Sequence, residues 1–136
     1  MENLIGGRKM RWEYRIVSEN NKLFIYGVYI DNKNRPFGIK YNIIPYGTMD
    51  DLIRYKKSFD TAFDKEIINI DDILLEKEEY KSIKDIGYGV LIGGYAYIDR
   101  CDLTSKLEAD LDDLGFKATY KDCPSGYDDY YEITFK

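Results

Sequence analysis

The chain holds 136 residues, 44% hydrophobic and 33% charged, with a net charge of −5, which is too apolar for disorder and large enough for one core without staples. It contains no histidine and fourteen tyrosines, so proton shuttling, nucleophile activation and imidazole metal ligation lose their usual agent, while stiff, half-polar contact surface is abundant. No apolar run is long enough to cross a bilayer and the first residues lack a signal peptide's apolar segment, so a cytoplasmic protein without membrane contact is expected.

Residues 1–9 precede the first patterned run and are read as a loose arm. Trp12-Glu13-Tyr14-Arg15-Ile16-Val17 alternates, with Trp12, Tyr14 and Ile16 on one face, the period of a half-buried strand. Leu23 to Ile30 is apolar on both faces and is expected to be central in its sheet. The turn residues Asp31-Asn32-Lys33-Asn34 lead through Arg35-Pro36 into a third strand, where Phe37, Ile39, Tyr41 and Ile43 alternate with Gly38, Lys40 and Asn42. Pro45-Tyr46-Gly47 ends this antiparallel meander. Thr48 then caps a helix with Asp50 and Asp51 in its first turn, and Leu52, Tyr55, Phe59 and Phe63 form the stripe that lays the helix across the meander.

Ile67, Ile68 and Ile70 suit a short strand, and Asp72 to Tyr80 a short charged helix serving as a linker. Tyr88 to Ile98 reads as one long apolar strand. A helix follows, carrying Leu103, Leu107, Leu111 and Leu114 at spacings of four, four and three and stopped by Gly115. Asp102 is one candidate cap for it, and a box of Ser105 and Glu108 is the other. Two strands, Phe116 to Asp122 and Tyr130 to Phe135, are joined around Pro124-Ser125-Gly126. The order βββα then βαββ lacks the alternation of a doubly wound sheet. The expectation is an α+β fold, mainly antiparallel with two main helices packed on the sheet, forming a single domain over residues 10–136 divisible into subdomains 10–66 and 86–136.

Residues 1–66 hold 12 Lys/Arg against 9 Asp/Glu, and residues 67–136 hold 8 against 16. The acidic second half repels nucleic acid, so no direct nucleic-acid binding is expected, and it favours basic partners. Cys101 and Cys123 are too few for a cysteine zinc site in a chain without histidine; they are read as buried thiols, with a pairing between them left open. Gly87 to Gly94 has the glycine density of a phosphate loop but lies in a strand-like run, with no helix directly after it and no Gly-Lys-Ser/Thr. A bulged or bent strand is expected, its Gly93-Gly94 pair admitting a neighbouring backbone or ring. Asp110 and Asp112 point in different directions on a helix, and their surroundings lack the glycine and terminal glutamate of an EF-hand loop. Ser105-Lys106 and Cys101-Asp102 are bare adjacencies, so no catalytic residue, cofactor or metal is assigned and no enzymatic activity is expected.

The most unusual local composition is Tyr127-Asp128-Asp129-Tyr130-Tyr131-Glu132. Strand alternation turns Tyr131, Ile133 and Phe135 inward and leaves Tyr127, Asp128, Asp129 and Tyr130 at a hairpin tip, where rings beside negative charge suit a basic groove. Glu108, Asp112 and Asp113 of the second helix extend this candidate partner surface. The leading expectation is a non-catalytic binding module that occludes the basic surface of a nuclease or nucleic-acid-binding enzyme, in the manner of immunity proteins and phage anti-defence or anti-CRISPR proteins. The alternatives are a small-molecule or nucleotide-binding domain or enzyme centred on Gly87 to Gly94, and a structural module that self-associates.

Trp12-Glu13-Tyr14-Arg15, Tyr26 through Pro36, Pro45-Tyr46-Gly47 and the helix start Met49-Asp50-Asp51-Leu52 together resemble a family of small uncharacterised bacterial proteins. In that family a "WEYR" strand, a "Y.VYYDENGKP" hairpin and a "P.G.S.EEL" helix start follow one another. This sequence departs from the pattern at Ile30, where the family has Tyr, and at Asn34-Arg35, where it has Gly-Lys. The resemblance covers residues 12–66, implies the βββα order and contains no catalytic residue. Residues 67–136 show no such pattern.

Overall fold

The computed structural model describes residues 2–5, 8–40, 44–122 and 129–136. The fold is α+β, and the chain divides into two compact units, Met10–Lys77 and Glu78–Lys136, with the first nine residues shared between them. The first unit is built on a sheet of order β1 (Glu2–Ile5), β2 (Arg8–Glu19), β3 (Lys22–Ile30) and β4 (Pro36–Lys40). The pairs β2/β3 and β3/β4 are antiparallel, as the meander requires. Asn20 and Asn21 both take positive φ in the β2–β3 turn, which matches the twist of a two-residue hairpin.

The register sorts the side chains. Trp12, Tyr14 and Ile16 share one face with Tyr29 and Lys40, while Val17, Val28, Ile30 and Ile39 share the other. The second face is covered by the segment after the first helix: β5 (Ile68–Asn69) pairs in parallel with β2 at Val17 and Ser18, and Ile68 and Ile73 join Val17, Val28, Ile30 and Ile39 in one core cluster. The short strand expected at Ile67–Ile70 is thus two residues long. The charged helix expected at Asp72–Tyr80 is a series of 3₁₀ turns, Ile70–Asp72, Leu74–Glu76 and Glu78–Ile83. Leu74, Leu75 and Ile83 are buried within it, and short turns re-aim such closely spaced apolar residues where a continuous α-helix would splay them.

The first face carries α1 (Met49–Phe63). Thr48 caps it and forms a reciprocal box with Asp51, the Asp51 N–H donating to Thr48 Oγ1 at 3.2 Å and the Thr48 N–H to Asp51 Oδ2 at 2.9 Å. Tyr55, Phe59 and Ala62 pack with Tyr14 and Ile16, but Leu52 and Phe63 are exposed. At 100° per residue the buried stripe runs through Tyr55 and Ala62, turned by roughly 80° from the stripe centred on Leu52 and Phe63. Of the expected third strand, Tyr41 and Ile43 lie outside the described residues.

The β3–β4 connection turns on Asp31, which is 0% exposed. Its carboxylate accepts from the N–H groups of Lys33 and Arg35 and from Arg35 Nε, each at 2.9 Å, and Asn34 completes the turn at φ 60°.

In the second unit, β6 (Ala96–Asp99), β7 (Phe116–Lys121) and β8 (Tyr130–Phe135) form a separate antiparallel sheet of order β6-β8-β7. The long strand expected over Tyr88–Ile98 is a correction: Lys84–Gly93 is a helix, α2, and only Ala96–Asp99 is strand. Tyr88, Val90 and Leu91 are buried on α2, and a short helix with so many apolar positions shows no polar stripe to betray its period. Its glycines have different roles from those expected. A Cβ on Gly89 would sit 3.4 Å from that of Ala96, so Gly89 lets the helix approach β6, whereas Gly94 closes the helix at φ 87°.

The helix α3 (Ser105–Asp113) is capped by Thr104, whose Oγ1 accepts from the Leu107 N–H at 3.1 Å, in place of either Asp102 or Ser105. Gly115 follows it at φ 88°. Leu111 and Leu114 are buried with Ile98, Ile133, Phe116 and Phe135, the last two stacked at 4.8 Å.

The Asp31 turn gives the first test. Asp31→Ala strands two backbone donors and one guanidinium, and is expected to lower the unfolding free energy by about 2–3 kcal/mol in urea titration. A loss below about 0.5 kcal/mol would show that water replaces the carboxylate without cost.

Candidate binding cleft and the tyrosine surfaces

Within the first unit, the N-terminal part of α1 and the sheet face that carries Trp12, Tyr14 and Lys40 border an open cleft of about 1010 Å³. From β2 it is lined by Trp12 and Tyr14, from β4 by Lys40, and from the loop before α1 by Ile44, Tyr46 and Gly47. From α1 it is lined by Asp51, Arg54, Tyr55 and Ser58, spaced by three, one and three residues as a single helix stripe demands. Tyr14 pairs with Gly27 in the β2/β3 register, and Gly27 with Lys40 in the β3/β4 register. The row across the sheet therefore reads Tyr14, Gly27, Lys40, and the central glycine puts no side chain between the outer two.

The aromatic wall is built from edge contacts. The Tyr14 ring meets Trp12 at 5.2 Å and Phe59 at 4.7 Å, both T-shaped. Lys40 Nζ lies 5.4 Å from the ring centres of Trp12 and of Tyr29 and donates to the Tyr29 hydroxyl at 3.4 Å. Cation–π attraction of this kind holds a lysine without neutralising it, and among the described residues no carboxylate reaches ion-pair distance of Lys40. Asp51, the acid in the lining, is already committed to Thr48 and to an ion pair with Arg54.

Two groups in the cleft have displaced titrations. Burial, followed by the neighbouring Tyr55 phenol, raises the Tyr14 pKa, so Tyr14 stays protonated at neutral pH. The Tyr14 residue is 5% exposed, and its hydroxyl has no hydrogen-bond partner among the described residues. Asp51 is shifted the opposite way, held below the usual carboxylate range first by the Thr48 N–H, then by the Thr48 hydroxyl and Arg54.

The residues singled out in the sequence lie in the second unit. Tyr127 and Asp128 fall outside the described residues, as does Cys123. Asp129 is half-buried, accepts from the Tyr120 hydroxyl and faces Arg100 at 3.6 Å, and its carboxylate raises the Tyr120 pKa. Tyr130 is half-buried with its ring 5.0 Å from Tyr97, which lies 5.0 Å from Tyr95. Tyr95 and Tyr97, at 51% and 56% exposure, belong to a tyrosine ladder that only the pairing of β6 with β8 completes. Desolvation, then Tyr95, Tyr130 and Glu132, raise the Tyr97 pKa. By register Asp99 and Glu132 share this outer sheet face with Lys117 and Lys121, so its charges are mixed. On α3, Glu108, Asp112 and Asp113 are exposed, and Asp112 pairs with Lys136. The structure brings Asp129, Tyr130 and the β6 tyrosines to one sheet and leaves the α3 acids on a separate element. Cys101, expected to be buried, is exposed, because it sits in a 3₁₀ turn after β6 and outside the helix–strand interface.

Comparison with protein families, with curated proteins and with solved structures returns no match for this chain.

Removing a buried hydroxyl that lacks a partner is neutral or stabilising. Tyr14→Phe is therefore expected to melt at the wild-type temperature or above, and a fall of several degrees would mean that the hydroxyl is satisfied. A second outcome concerns acid. Because the folded pKa of Asp51 is depressed, its contribution is complete above the ordinary aspartate value of about 3.9 and is lost as pH falls through the lower folded value. The stability difference between wild type and Asp51→Ala should be present at about pH 6 and close at about pH 2; a gap independent of pH would remove the carboxylate from the cap.

Proposed function

We propose that this chain is a non-catalytic ligand-binding protein whose site is the cleft between α1 and the sheet of the first unit. The observation that carries this reading is the lining: the Lys40 ammonium, which no carboxylate among the described residues reaches, lines the same cleft as the rings of Trp12, Tyr14 and Tyr55. A concave, mainly aromatic site with a few polar groups is the usual form of a small-molecule pocket. The absence of histidine and the opposite shifts of Tyr14 and Asp51 leave both groups in fixed protonation states at neutral pH, which suits recognition better than proton transfer.

Trp12 is the sole tryptophan and lines the cleft, so intrinsic fluorescence reads this site directly. Small molecules selected by quenching of Trp12 should lose their affinity in Ser58→Phe, which fills the cleft from the α1 stripe, while the fold is retained by circular dichroism. Binders that ignore Ser58→Phe would place the site elsewhere.

A second reading is docking onto a basic protein surface, favoured by the Tyr95–Tyr97–Tyr130 ladder on the outer face of the second sheet. Exposed contiguous rings of this kind are enriched among interface anchors. A partner bound there should lose at least ~1 kcal/mol with Tyr97→Ala, and an affinity indifferent to that change would exclude the ladder.

A further inference from the structure

The charge of the cleft specifies its ligand further, an inference that rests on the cleft reading above. Among the described residues three charged side chains line it, Lys40, Arg54 and Asp51. Arg54 and Asp51 pair with each other, which leaves Lys40 as the uncompensated charge of the lining. Its ammonium is held over the faces of Trp12 and Tyr29, and among the described residues its hydrogen bond is a long one to the Tyr29 hydroxyl. Lys40 stands on the sheet row that carries Gly27 and Tyr14, beside a wall of indole and phenol rings. A cation without a counter-ion calls for an anionic acceptor, and the rings call for a flat apolar body.

We infer that the cleft binds a small aromatic or planar organic acid, its anionic group held by the Lys40 ammonium and its body against Trp12 and Tyr55. The anion replaces a weak phenol contact of Lys40 with a charge-assisted hydrogen bond. A neutral compound of the same shape would gain the ring contacts alone.

Two fluorescent probes of nearly the same shape separate these contributions: 8-anilinonaphthalene-1-sulfonate, which carries an anion, and N-phenyl-1-naphthylamine, which does not. Titrated against the full chain, the sulfonate is expected to bind about tenfold more tightly than the amine, the effect of one charged hydrogen bond. Lys40→Met should remove that advantage and leave the amine within about twofold of wild type, while Lys40→Arg should retain most of it. Circular dichroism checks each variant for folding, and Lys40→Gln replaces Lys40→Met if the latter does not fold. If both probes bind, both are lost in Ser58→Phe, and Lys40→Met leaves their ratio unchanged, the organic-acid assignment is overturned while the cleft stands. If neither probe quenches Trp12, or Ser58→Phe spares both, the cleft reading falls and the assignment with it.

Discussion

The buried carboxylate of Asp31 sets the geometry on which the rest of the first unit depends. With two backbone N–H groups and Arg35 bound to one side chain, the turn between β3 and β4 has a single length, and the pairing shift at Tyr29/Ile30 is absorbed beside it. Side chains alternate across a strand, so a slip of one residue exchanges the two faces. In the observed register Ile39 enters the core with Val28 and Ile30, while Lys40 stands beside Trp12 on the opposite face. One residue of slippage would bury the lysine and present Ile39 to the cleft. The position of the uncompensated cation is therefore fixed from the far end of its strand.

Strand β2 connects that constraint to the cleft. Its odd residues from Val17 face the cluster completed by Ile68 and Ile73, and its even residues face α1. The two faces are covered differently. The 3₁₀ segment contributes Ile73 to the core on one face, whereas α1 packs on the other through Tyr55, Phe59 and Ala62. The cleft is lined by Asp51, Arg54 and Ser58, which lie on the adjoining side of the helix. The polar part of the stripe that defeats a simple amphipathic reading of α1 is the part that borders the cleft.

Much of this was legible in the sequence. The meander, the Thr48 cap, the leucines of α3 with Gly115 behind them and the final hairpin all follow from local rules of period and turn chemistry. Two kinds of feature did not. Tyr88, Val90 and Leu91 are buried on a helix with three glycines, and neither propensity nor period separates that from a strand; the tyrosine ladder depends on the β6/β8 pairing that brings Tyr130 beside Tyr97, which no local pattern states. The cleft was not legible because it is an absence of packing. Trp12, Tyr14 and Lys40 are ordinary strand residues singly, and they become a site through the Gly27 row and through the helix residues placed beside them. Each of those is a tertiary quantity with no local signature.

The distribution of charge between the units bears on both binding readings. Residues 10–77 hold 11 Lys/Arg and 11 Asp/Glu, whereas residues 78–136 hold 7 and 13. The acidity that the sequence assigned to the second half therefore belongs to the unit with the tyrosine ladder, and the unit with the cleft is neutral. A neutral surround matters for an anionic ligand, because a like-charged field would oppose its approach over a Debye length of about 8 Å at physiological salt. With no net field in its own unit, attraction in the cleft reduces to the short-range contact with Lys40, strengthened by the low-dielectric rings around it. On the tyrosine face the acidic background would steer a basic partner, but Asp129 is engaged with Tyr120 and Arg100 and the outer-face lysines offset Asp99 and Glu132. Binding there would draw its strength from the rings, with charge setting the rate of encounter more than the affinity.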